Sequence, residues 1–407
     1  MSTGTARKQG ALAGMRVLEL AQIMAGPTCG MLLADMGADV IKVEKLPGGD
    51  DSRGYREPRV NGVSAPFLIL NRNKRGLALN LKDPRGREIL LRMVKDADVL
   101  TENYRRGTLE KMGLGYDVLA QHNPGLIYAA VSGYGREGPY ADKGGFDLIA
   151  QGFAGLMSIT GEPGGPPVKT GNSVADINAG ILACVGILAA YAHKLKTGEG
   201  QIVDTSLMEA ALQQTYWHAA IYFATGESPA PTGSAHLLTA PYQAFRASDG
   251  WINIGGANQA NWERIADVVG HPEWRDDPRF ATNSARMQNV EALAALINGV
   301  LATATKAEWI ERFDLAGVPV GPVHSIGEAL GHPQTLARGM VVELDHPTAG
   351  RTKALGCPVH FSATPTSVTR PAPLLGEHTR DLLHQYGYSD DDIDVLIADG
   401  VVEDARA

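Results

Sequence analysis

Cysteine is scarce. The chain carries three in 407 residues, Cys29, Cys184 and Cys357, far apart and without CxxC spacing, which excludes a disulfide framework and offers no zinc site. They read as reduced, mostly buried thiols. The GxxxxGK[ST] phosphate loop, the HExxH metal pair and the GxSxG nucleophile elbow are also missing, so triphosphate hydrolysis, zinc-peptidase and serine-hydrolase chemistry have no support. No metal is expected. Positive charge is in deficit, the net being −8, so nucleic acid, which wants a basic surface, is not an expected partner. No apolar run is long. Ala179–Ala192 falls short of the roughly 18 to 20 residues that cross a bilayer, and reads as a buried helix with no membrane role. The first ten residues lack the apolar core of a secretory signal. Residues 1–13 read as a flexible tail, and cytoplasmic residence is the default expectation.

With 44% apolar and 20% charged residues, the chain has the make-up of a soluble globular protein, and its length allows two or three domains. Strand patterns from Arg16 and over Asp39–Glu44 flank a short helix with Pro27 near its start and Gly37 at its end, a compact βαβ unit. Further strand patterns from Leu77, from Asp98 and from Leu126, with a helix from Pro84 to Asp96, continue the alternation of a parallel sheet with crossover helices. The fold class is therefore α/β. Loop residues around Thr225–Gly233 mark a boundary. Beyond it, Tyr242–Ala247 and Trp251–Gly255 suggest a hairpin, followed by three helical patterns up to Ala316. The expected division is 14–224, 225–325 as a smaller unit, and 326–407, which returns to the first.

Asp176 stands between a Gly/Pro-rich loop and the most apolar stretch of the chain. On local sequence it reads first as a helix N-cap, since Asp often accepts the orphan N–H groups of a first turn. A helix N-terminus would also keep the carboxylate ionised, and an oriented carboxylate is a usable nucleophile. Basic residues gather in the first third: Lys42 and Lys45, then Arg72, Lys74 and Arg75, then Arg105, Arg106 and Lys111. Most read as surface charges, though several fall just after a strand, where an open α/β sheet binds its ligands. Gly133 to Gly138 matches GxGxxG after a strand. A dinucleotide fingerprint must open a helix, whereas Pro139 and the pair Gly144, Gly145 follow, so these glycines read as shaping an irregular loop.

Taken in order, Ala25 to Pro27, Gly37 to Glu44, Asn71 to Arg75, Glu102 with Asn103, Gly133 to Gly135, Gly161 to Pro167 with Asp176, Thr197 to Gln201 and Pro373 to Thr379 resemble the class III CoA-transferases, the CaiB/BaiF type. The resemblance spans nearly the whole chain. It implies a Rossmann-like large domain built from both ends of the chain, a smaller α+β middle domain, and an interlocked, ring-like homodimer. It also implies an aspartyl nucleophile at Asp176, no tightly bound cofactor, and acyl-CoA and carboxylic acid substrates.

The implied reaction passes CoA from an acyl-CoA donor, with succinyl-CoA a candidate, to a carboxylic or dicarboxylic acid through an aspartyl-CoA thioester. CoA is expected against Ile23, Met24 and Ala25, near Lys45, and along the strand end Leu79, Asn80 and Lys82. Asn103, Tyr104, Arg105 and Lys111 complete that set, with Phe146 and Asp147 beside them. Met24 stands where formyl-CoA:oxalate members carry Gln, and Lys45 and Lys111 where they carry Arg. Lysine keeps the attraction for phosphate and loses the planar stacking surface. Thr232 to His236 is similar to the succinyl-CoA:dicarboxylate members, which makes His236 a candidate for the acceptor carboxylate, with an ordinary loop residue as the alternative. An α-methylacyl-CoA racemase of the same fold is the alternative within the family, but it needs a His where this chain has Phe146, and phenylalanine exchanges no proton. A nicotinamide-dependent oxidoreductase and a non-catalytic CoA-binding subunit are the alternatives from other classes.

Overall fold

The computed structural model describes residues 9–405. Its centre is a seven-stranded sheet made of β1 (Arg16–Glu19), β2 (Asp39–Glu44), β3 (Arg75–Leu79), β4 (Val99–Glu102), β5 (Ile127–Ser132), β6 (Ile202–Ser206) and β7 (Val402–Glu403). The first five are almost wholly buried, as parallel strands covered by helices on both faces must be. They lie in the order β7-β3-β2-β1-β4-β5-β6. All neighbours run parallel except β7, whose Val402 pairs antiparallel with Leu79 of β3. The α/β class and the mainly parallel sheet expected from the sequence are what forms.

The chain lays β1, β2 and β3 outward in one direction, then returns to place β4 on the other side of β1. That reversal opens a crevice at the carboxyl ends of β1 and β4, the usual ligand site of an open α/β sheet. The helix α1 (Ala25–Asp35) links β1 to β2, and α2 (Pro84–Val94) links β3 to β4 with Asp83 capping it by accepting from the Arg85 N–H. Leu18, Ile41, Leu77, Ile89, Leu100 and Leu382 are at the heart of the core that holds strands and helices together. Two further helices frame the crevice, α3 (Asp147–Phe153) and α4 (Val174–Thr197).

At 24 residues, α4 is long and apolar enough, by length and composition, to cross a bilayer. That corrects the reading of its apolar run as too short. In this fold, one face of the helix, with Ala179, Gly180, Ala183 and Ile187, is buried. Gly180 sits where α4 meets α1, and a Cβ there would lie 2.5 Å from the carbonyl oxygen of Ala25 and 2.7 Å from Cβ of Thr28. Main chain cannot swing aside as the end of a flexible side chain can. Gly180→Ala is therefore expected to destabilise by about 1–3 kcal/mol, read as an earlier midpoint in urea unfolding. An unchanged midpoint would show that the two helices part freely.

The chain divides into two compact units, one of Met157–Val168 and Ala220–His332, the other of the remaining segments. The smaller unit has its own antiparallel sheet, Val320–Pro322, Gly250–Gly255 and Tyr242–Ala247 in that order. The expected hairpin thus gains a third strand. Phe245, Ile252, Trp262, Phe280, Trp309 and Phe313 pack its interior. Residues 157–168 fall in this unit because the Gly233 N–H donates to the Gly161 carbonyl at 2.9 Å. Of the segment read as a flexible tail, residues 1–8 lie outside the described residues. Residues 9–13 lie against the end of α1, where the Leu12 N–H donates to the Met36 carbonyl at 3.0 Å.

Candidate active site

The crevice is walled on one side by the turn from β1 into α1. Asn103, just past β4, grips that turn at Gln22, its side-chain oxygen accepting from the Gln22 N–H at 2.9 Å and its amide donating to the Gln22 carbonyl at 2.8 Å. The next residue, Ile23, has φ 64, a left-handed conformation that is unusual for a β-branched side chain. The helix α1 then begins without a side-chain cap, so its first N–H groups are left for a ligand or solvent.

Asp176 enters from the opposite element. It lies in the first turn of α4 and is not the N-cap, which is Ser173 and makes no side-chain cap bond. This corrects the cap reading. The capping acceptor is Asp147, from the start of α3: its Oδ1 accepts from the Ala175 N–H at 2.9 Å and the Asp176 N–H at 3.4 Å. Asp147 is held in turn by Gln151, which is buried and donates to it at 2.7 Å while accepting from the Thr170 N–H and hydroxyl. With the cap supplied by another helix, the Asp176 carboxylate is spared that work. No hydrogen bond or ion pair from the described residues reaches it.

Burial, and then the charge of Asp147, raises the Asp176 pKa to about 6. The carboxylate is thus less acidic than a helix terminus alone would make it, because the desolvated position wins. At neutral pH roughly nine-tenths of the groups are still ionised, now as a more basic oxygen.

A cleft of about 210 Å³ joins the parts. Of the expected residues, Ile23, Met24, Ala25, Asn103, Tyr104, Arg105 and Phe146 line it together with Asp176. Asp147 sits behind Asp176 as its helix cap. Lys45 lies outside the lining and pairs with Asp51 at 2.5 Å. Leu79 is buried in the sheet, and Asn80 lines a separate, open cavity of about 450 Å³ with Leu46, Pro47, Gly400 and Val402 to Asp404. Lys82 and Lys111 are exposed and outside both linings. His236 belongs to the smaller unit, where its Nδ1 accepts from the Leu238 N–H at 3.1 Å and its ring lies 5.1 Å from that of Tyr242. That bond leaves Nε2 as the proton-bearing nitrogen of the neutral ring.

Sequence reasoning missed Gln22, Lys143 and the glycine crossing on the far wall, and had Arg106 only among the basic residues that follow a strand. A Cβ on Gly133 would meet Cα of Gly145 at 2.7 Å, and one on Gly145 would meet Cα of Gly133 at 2.6 Å. Two main chains therefore touch there, which is what the paired glycines provide, and Gly133 to Gly138 opens no helix. Three cations read as surface or ligand-facing charges are instead internal. Lys42 and Lys74 both pair with Glu19, at 3.1 and 2.8 Å, Lys42 also with Asp50 at 2.8 Å, and Arg72 with Asp35 at 2.6 Å. All are buried. The three cysteines are buried and form no disulfide, and among the described residues no group of His, Cys, Asp or Glu could hold a metal ion.

The model of CoA-transferase family III matches residues 12–379. The chain is 37% identical to a succinyl-CoA:glutarate CoA-transferase of Mus musculus, over 96% of this chain and 90% of that one. It is 39% identical to a succinate–glutarate CoA-transferase of Agrobacterium fabrum, over 91% of this chain and 94% of the relative. Among solved structures, a CaiB/BaiF family protein from Brucella suis superposes with a TM-score of 0.83 at 37% identity, covering 93% of this chain and all of that one.

Proposed function

Because the chain belongs to CoA-transferase family III, we propose that it moves CoA from succinyl-CoA to a second carboxylic acid, glutarate or a similar dicarboxylate, through an aspartyl-CoA thioester on Asp176. The observation that carries the reading is the Asp176 carboxylate itself, desolvated, unpaired among the described residues and facing a cleft. Such an oxygen attacks the thioester carbonyl, and CoA leaves as thiolate. The resulting mixed anhydride is attacked at its aspartyl carbonyl by the thiolate, which releases the donor acid and leaves CoA on Asp176. The acceptor carboxylate then reverses these steps: it displaces CoA to give a second anhydride, the thiolate attacks the acceptor's carbonyl, and Asp176 is regenerated.

No high-energy bond is lost, provided water is kept away from the anhydrides. Each tetrahedral oxyanion needs N–H donors, and the uncapped start of α1 and the chain at Gly144 and Gly145 lie at the cleft. Arg105, Arg106 and Lys143 give the cleft a positive lining in an acidic chain, suited to the phosphates of CoA. The dicarboxylate acceptor follows the activities for which the relatives are named. The interlocked homodimer belongs to the same reading. Val185, Leu212 and Trp217 are each more than half exposed in the single chain, which supports a partner covering them. A racemase would need a proton-exchanging group at Phe146, which lines the cleft and has none.

Incubation with succinyl-CoA followed by mass spectrometry should find CoA on the peptide containing Asp176, discharged by glutarate. Turnover without that adduct would rule out the aspartyl route. The nucleophile is the deprotonated acid, so kcat/KM for the donor is expected to fall tenfold per pH unit below about 6. Asp147→Asn removes the neighbouring charge while keeping an acceptor for the helix, so the acid limb should move to lower pH. A limb that stays in place would mean that burial alone sets it.

A further inference from the structure

Asp50 is almost wholly buried and absent from the cleft lining, yet both of its oxygens reach the cleft wall. They accept from the Ile23 N–H at 3.1 and 3.2 Å. One oxygen is fixed further by the N–H and hydroxyl of Ser52, the other by Lys42 at 2.8 Å. The same ionic cluster grips the turn at two more points. Lys42 Nζ donates to the Ala21 carbonyl at 3.0 Å, and Lys74 Nζ to the Pro27 carbonyl at 2.9 Å.

Buried ion pairs seldom add stability over an apolar core of the same shape, so their retention calls for another role. Here the three contacts flank and include Ile23, which is held in a conformation that a β-branched residue keeps only when its surroundings impose it.

We propose that Asp50 is a positioning residue for CoA transfer: through the Ile23 N–H, its carboxylate, ion-paired to Lys42, holds the β1–α1 turn in the one path that sets the cleft wall and the start of α1. The effect on the reaction rests on the transferase reading; the clamp itself does not. An amide at position 50 cannot accept from both Lys42 and the Ser52 N–H, which meet different oxygens, and its NH2 end would also face the Ile23 N–H donor to donor.

The test is a double-mutant cycle of Asp50→Asn and Ile23→Gly, with kcat and KM measured for succinyl-CoA and glutarate and amide exchange followed over residues 20–26. Asp50→Asn should lower kcat roughly tenfold or more, as misplacement of a reacting surface does, and speed exchange in that peptide. In the Ile23→Gly background the same change should cost less than about threefold, since glycine takes positive φ unaided. Ser52→Ala, a milder disturbance of the same carboxylate, serves if Asp50→Asn does not fold, and should show the same dependence on background. Equal losses in both backgrounds, or unaltered exchange, would overturn the proposal. A parent enzyme inactive with every acyl-CoA would instead overturn the transferase reading, and exchange would still decide the clamp.

Discussion

Asp176→Ala is expected to abolish CoA transfer and, at neutral pH, to make the protein more stable. Loss of a covalent nucleophile removes the only route to the anhydride, so turnover should fall by at least about 10⁴-fold, the scale seen when nucleophiles are deleted elsewhere. The gain in stability has a separate origin. The folded protein holds the Asp176 proton with a pKa of about 6, against 3.8 for the free group. Between those values the folded state binds more protons than the unfolded one, so stability falls as pH rises through that window. Above it the full penalty applies. With the side chain partly exposed, removing the charge should return on the order of 2 kcal/mol. Unfolding midpoints of parent and variant at pH 4 and pH 8 check this: the variant's advantage should appear only at the higher pH. Activity near the parental rate in the variant would end the aspartyl mechanism, whatever the melting curves show.

Glu19→Gln should have the largest effect on stability. Glu19 neutralises two buried lysines at once, Lys42 and Lys74. Without it Lys42 keeps Asp50, but Lys74 is left with neutral partners, the Pro27 carbonyl and the Asn71 side-chain oxygen. Stranding a buried charge costs about 3–5 kcal/mol, which urea unfolding at pH 7 would register directly. Adding Lys74→Met should recover most of that loss, because the surplus charge is gone. A loss below about 1 kcal/mol would mean that water already reaches the cluster.

The pH response should single out Lys74. Burial, with repulsion from Lys42, lowers its pKa to about 8 despite Glu19. The unfolded chain therefore holds this proton more tightly, and the group's contribution to stability rises as pH climbs from about 8 towards 10.5. Lys42 moves the other way. Burial opposes its charge, but Glu19, Asp50 and Glu44 together outweigh it and keep the proton bound.

The sheet was legible in the sequence because strands buried on both faces write themselves as near-continuous apolar runs, as at Ile127 to Val131 and, broken by Lys42, at Val40 to Val43. The third strand of the smaller unit, Val320–Pro322, was not, since three residues with a glycine and a proline carry no period. Asp176 stood out for its position between a loop and an apolar helix, and several cleft residues followed from the family resemblance. The division of labour between two aspartates was hidden. A residue in a first turn looks like a cap until a carboxylate 29 positions earlier is seen to occupy that role. The buried cations were misjudged for a related reason: Lys42 and Lys74 look like any basic residue near a strand, and only the packing reveals Glu19 and Asp50 behind them.

The seam at Gly180 has a consequence for how this fold can evolve. Because α1 and α4 abut through Gly180 and the main chain of Ala25, the spacing of the two helices that bring Ala25 and Asp176 to the cleft is machined into the backbone, with no side-chain shim to trim. Selection for new acids is then steered away from this hinge-like joint and towards the lining, where residues such as Met24 and Phe146 can be exchanged without retooling the jaw that holds them.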